Sequence, residues 1–184
     1  MKIKNSIKHM TLTAVCIALC VVLPIAFHSI PNAGSVFLPM HIPVLICGMI
    51  CGWPFGFLCG LAGPLLSSTL TGMPPMAMLP AMMLECGFYG LVSGLVLKLV
   101  HTKNTYRDLY IALVTAMLAG RVFSGIAKAL VLAPGLSLSA WVTASFITAL
   151  PGILIQLVFL PTVVLALMKA RIIPQRYAKG ESVA

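Results

Sequence analysis

The chain has 184 residues, 60% of them hydrophobic and only 8% charged, with twelve Lys and Arg against three Asp and Glu for a net charge of +9. Soluble domains carry about 25% charged residues, so this composition excludes an ordinary globular protein and reads as an all-α integral membrane protein. The positive charge does not signal nucleic acid: every Lys and Arg except Arg121 and Lys128 falls within 2–8, 98–107 or 169–179. Cytoplasmic segments flanking membrane spans are basic in this way, and the partner they fit is the anionic headgroups of membrane lipid.

About 20 apolar residues cross the hydrocarbon core as a helix. On that measure the sequence predicts a six-transmembrane-helix bundle in one domain, with helices near 9–28, 40–51, 55–70, 77–99, 107–132 and 140–168 and both termini cytoplasmic. The first helix has the basic start and apolar run of a signal peptide, but its length, its Pro24 and the spans that follow favour a retained span. Thr11, Ala14 and Ala18 share one of its faces, and in lipid small residues gather where backbones pack closely. The second and third helices are short for full spanning. They are read as a hairpin that crosses with local thinning, or as a re-entrant pair.

These two helices contain the stretch CGMICGWPFGFLCGLAG, with glycine at 48, 52, 56, 60 and 63. The glycines have two readings, close packing inside the bundle or a smooth outer surface. The expectation carried forward is that Gly48, Gly52, Gly56 and Gly60 join Ala14 and Ala18 in an interface with another membrane protein. The six cysteines, at 16, 20, 47, 51, 59 and 86, include no C-x-x-C pair and no histidine at ligand spacing. They are read as small polarizable packing residues, with neither metal nor cofactor expected.

Helices four and five carry the ionisable residues that matter most. Glu85, Arg121 and Lys128 lie within apolar segments, where a charge costs roughly 3 kcal/mol on insertion scales and marks a functional site by default. Arg121 and Lys128 are seven apart, so both fall on one face about 10 Å from one another, with Ser124 and Gly125 beside them. Two cations against one anion leave a surplus positive charge. That surplus suits a carboxylate of a ligand entering from outside, with Arg121 as a bidentate fork, Lys128 as a point charge and Glu85 holding Arg121 or accepting from a ligand donor. Lys128 has the alternative of snorkelling to the interface. Tyr89, Thr148, Trp141 and Asn32 complete the candidate pocket. Trp141 reads as an interface anchor before a stacking platform, and His41 as a residue of the outer rim.

No G-x-x-x-x-G-K-[ST] loop is present, and Asp108 is the sole aspartate, which removes P-loop ATP hydrolysis and a two-aspartate protease. No enzyme activity is expected. The stretches FLPMHIPVLICGMICGW, PLLSSTLTGMPP and AMLAGRVFSG, together with the Ala14/Ala18 pair, resemble the substrate-binding S component of energy-coupling factor (ECF) transporters. That resemblance implies a multi-pass protein of the cell membrane that binds a vitamin near the outer face through helices four to six and neighbouring loops. It also implies partners: a transmembrane coupling protein, docked on the alanine motif, and two cytoplasmic ABC ATPases, which would explain the missing P-loop. Arg121 and Lys128 favour an acidic vitamin, pantothenate first. The alternatives are a stand-alone secondary transporter of a small organic anion and a non-transporting assembly factor.

Overall fold

The computed structural model describes residues 2–27, 33–132, 135 and 137–177. Among them the secondary structure is helical throughout, with no strand. The α-helices are α1 (Lys2–Ala26), α2 (Ala33–Phe37), α3 (His41–Cys51), α4 (Trp53–Thr71), α5 (Leu79–Leu99), α6 (Thr105–Ala127), α7 (Leu138–Val142) and α8 (Leu150–Lys169). Two π-helical segments, Lys128–Leu132 and Thr143–Thr148, extend α6 and α7. Five segments are long and apolar enough to cross a membrane: Ser6–Ala26, Gly34–Cys51, Leu79–Leu99, Thr105–Leu130 and Leu150–Lys169. α4 has 19 residues, but its glycines, prolines, serines and threonines lower its hydropathy.

Local chemistry explains the breaks. Gly52 has φ +89°, a conformation an L side chain resists, and it ends α3 and begins α4 in one residue. Gly72 closes α4 with φ +73°, its N–H donating to the Ser68 carbonyl. Asn104 caps α6, its side-chain oxygen accepting from the backbone N–H groups of Tyr106 (3.0 Å) and Arg107 (3.3 Å). The helix expected over 140–168 is divided at Ala149. Pro151 lies in the first turn of α8, where its missing N–H is harmless; inside a continuous helix it would remove a hydrogen bond.

The centre of the molecule is the junction of α3, α4 and α5, and glycine makes it. A methyl group on Gly56 would sit 2.6 Å from Gly48 Cα and 2.8 Å from the carbonyl carbon of Gly90, with the Gly90 oxygen closer still. One on Gly60 would meet Gly87 N at 2.6 Å as well as the Cys86 carbonyl, and one on Gly48 would strike Ser93 and Gly90. Gly48, Gly56 and Gly60 are therefore buried against α5, which corrects the expectation that they face a partner. In lipid no hydrophobic effect separates inside from outside, so an inward and an outward small-residue stripe look alike in sequence. Gly52 serves the break between α3 and α4. Ala14 and Ala18 differ: both are exposed on α1, while Cys16 and Cys20 on the other side of that helix are buried. All six cysteines are free and buried in one core cluster.

Two side chains repair the break between α2 and α3. Cys20 Sγ on α1 donates to the Met40 carbonyl at 3.6 Å, and Gln156 Nε2 on α8 donates to the Leu38 carbonyl at 3.4 Å. α8 approaches closely enough because Gly152 lies against the Val36 and Phe37 backbone.

The basic segments meet at one end of the bundle. There Lys8 donates to the Ile172 carbonyl, and Arg176 donates to the carbonyls of Leu97 and Val100 at the end of α5. Asp108, fully buried in the first turn of α6, accepts from Thr102 N at 2.9 Å, Thr102 Oγ1 at 2.6 Å, Arg176 Nε at 2.5 Å and the Tyr177 hydroxyl. The segment after α8 thus straps α1, α5 and α6 together.

Candidate functional site

At the opposite half of the bundle α5 and α6 bring the intramembrane charges together. Gly120 is the enabling residue: a methyl group there would collide with the Tyr89 ring and come within 2.9 Å of the Glu85 carbonyl oxygen. Without it, Tyr89 lies flat against α6. Phe88 and Phe123 stack at 4.2 Å and hold the two helices in register one residue from Ser124.

The polar network runs through the Tyr89 hydroxyl. Arg121 Nε donates to it at 2.8 Å, and it donates in turn to Glu85 Oε1 at 3.2 Å. Ser124 donates to Glu85 Oε2 at 3.1 Å. The direct distance from Arg121 Nε to Glu85 Oε1 is 3.9 Å, so the phenol, rather than contact between the charges, links the pair. Arg121 is 2% exposed. Its Nη1 donates to the Ser145 carbonyl in the second π-helical segment, and its guanidinium lies 5.4 Å from the Phe146 ring centroid. Two of its five N–H donors are thus spent inside the protein.

His41 opens α3 directly beside this network, 1% exposed, with Nε2 3.6 Å from Glu85 Oε1 and its ring 5.0 Å from that of Tyr89. Neither ring nitrogen has a hydrogen-bond partner among the described residues. Its expected place on the outer rim is corrected: the break before His41 folds the start of α3 into the bundle.

Lys128 is half-buried at the start of the π-helical extension of α6, and its side chain makes no hydrogen bond or ion pair among the described residues. Its charge acts on Glu85 without contact. Trp141 is half-buried with its indole edge against Gly125, and its ring meets Phe146 edge to face at 5.7 Å. Thr148 is exposed at the end of its π-helical segment and stands apart from the network. Asn32 lies outside the described residues. Glu85, Tyr89, Arg121 and Ser124 thus form one hydrogen-bonded cluster, Lys128 and Trp141 flank it, and Thr148 does not join.

The sequence model of the family described as ECF transporter, substrate-specific component, matches residues 8–169. The chain belongs to that family. No curated protein matches the chain, and no solved structure does. As an S component it is a substrate-specific membrane subunit.

Sequence reasoning about this S component missed three contributors: His41, the Ser145 carbonyl and Phe146. For His41 a signal existed, since an imidazole beginning a short apolar helix next to a helix break is positioned to turn inward. The π-helical turns that aim Ser145 and Phe146 left no sequence signature. Such turns recur at functional sites because they expose a carbonyl the regular ladder would use.

Proposed function

We propose that this S component captures a small, water-soluble, anionic molecule, a vitamin-type carboxylate such as pantothenate, at the end of the bundle remote from its basic segments. The observation that carries the reading is the charge count. Glu85 is matched by Arg121 through Tyr89, with Ser124 as a further donor, and Lys128 remains without a counter-charge contact among the described residues. A buried cluster with one surplus cation is stable only if it gains an anion or reaches water. Arg121 then acts as the pillar that keeps Glu85 and the second π-helical segment in place, and Lys128 as the group that receives the ligand.

In this reading the protein is a multi-pass protein of the cell membrane with its basic segments cytoplasmic. It hands its ligand on through a transmembrane coupling protein and two ABC ATPases. The exposed Ala14 and Ala18 support a docking face on α1, whose apolar span is only 17% buried. Native mass spectrometry of the protein released from its own membrane tests the proposal. An acidic small molecule is expected to co-purify with wild type and to be lost from Lys128→Met. An empty wild type, or an uncharged molecule retained equally by the variant, refutes the anionic ligand.

A further inference from the structure

Two side-chain donors beside the cluster have nothing to donate to among the described residues. The Trp141 indole nitrogen is buried and has no hydrogen-bond partner among the described residues, although an indole N–H can only donate and is rarely left unpaired when buried. Its location follows from Gly125: a side chain there would occupy the space of Nε1 itself, and would come within 2.8 Å of Cζ2. The N–H edge is therefore laid on the backbone of α6. Lys128 follows Gly125 by three residues, the spacing of neighbours on a helix surface, and it too lacks a partner among the described residues. The nearest anion, Glu85, accepts from Tyr89 and Ser124 and makes no contact with either group among the described residues.

Resting on the anionic-ligand reading above, we infer that Trp141 and Lys128 form a seat for a single carboxylate, one oxygen accepting from the indole N–H and the other from the ammonium group. The seat specifies the class of ligand more narrowly than charge alone. A carboxylate brings a separate acceptor oxygen to each donor and a negative charge to the ammonium, whereas an amide or alcohol offers a single acceptor oxygen and no charge. Glu85, Arg121 and Lys128 sum to one positive charge, so a monoanion leaves the buried cluster neutral and a phosphate dianion leaves it negative. Gly125 becomes the residue that sets specificity, because any side chain there evicts the indole edge.

The test uses the full-length protein in lipid nanodiscs with Trp53, which is 41% exposed, replaced by phenylalanine so that Trp141 gives the sole indole signal. Sodium acetate is the probe and acetamide its uncharged control, at constant ionic strength to keep screening fixed. Acetate is expected to move the indole 15N–1H resonance downfield in a saturable way, acetamide to leave it in place, and Lys128→Met or Gly125→Ala to abolish the response while the rest of the spectrum stays folded. An indole signal unmoved by excess acetate overturns the seat, and so does an equal response in Lys128→Met. If the indole stays still while Lys128→Met empties the protein of a co-purified acid, the anionic-ligand reading stands and the seat alone falls. If acetate has no effect and no acid co-purifies, both fall.

Discussion

Gly56→Ala tests the central claim about packing. The added methyl would lie 2.6 Å from Gly48 Cα and 2.8 Å from the Gly90 carbonyl carbon, against a comfortable carbon–carbon separation of about 3.5–4.0 Å. All of these neighbours are backbone, so no side chain can swing aside, and α4 must withdraw from α3 and α5 by about 1 Å. Overpacking of this kind costs about 1–3 kcal/mol, which for a chain of this length lowers a thermal midpoint by about 2–12 °C. The assay is thermal unfolding of the isolated protein in detergent, with Gly34→Ala as control, since a methyl there meets nothing within 4 Å. The control is expected to hold or slightly raise the midpoint. Should Gly56→Ala melt like wild type, the glycine is not an internal contact and the three-helix junction is misread.

Three other outcomes are expected. Tyr89→Phe removes the hydroxyl that joins Arg121 to Glu85 and should destabilise the protein by about 1–3 kcal/mol, read by the same melt; an unchanged midpoint would mean that the two charges re-pair directly. Asp108→Asn and Arg176→Gln, tested singly and together, should each cost about 3–5 kcal/mol, the range for breaking a buried pair, and the double variant should cost less than their sum; additivity would show that the strap is held by other contacts. Ala14→Trp and Ala18→Trp should leave the melt of the isolated protein unchanged, because both positions are exposed on α1, yet abolish co-purification with the coupling complex; retained co-purification would clear that face of a docking role.

The membrane class was legible because apolar length and the grouping of basic residues are properties of segments, readable without tertiary contacts. The meeting of Glu85 with Arg121 was legible for a related reason: isolated charges in lipid must find one another. The manner of their meeting was not, since it depends on Gly120 admitting the Tyr89 ring, a contact between residues 31 apart in the chain. The glycine stripe misled because periodicity gives the face of a helix and not what lies across from it. His41 misled because its depth is set by the break at 38–40, which depends on Cys20 and Gln156 from two other helices to satisfy the open carbonyls.

The strap at the basic end bears on how the chain is made. Asp108 is buried among Thr102, Tyr177 and Arg176, and the two that arrive last are 68 and 69 residues further along. Until they emerge, the α5–α6 hairpin has an acidic group with half its partners and a helix end with two carbonyls, Leu97 and Val100, awaiting Arg176. The hairpin can insert early but cannot close. Completion of one end of the bundle therefore waits for residues 176 and 177, and a chain released before them would leave the buried Asp108 carboxylate with its Thr102 donors alone.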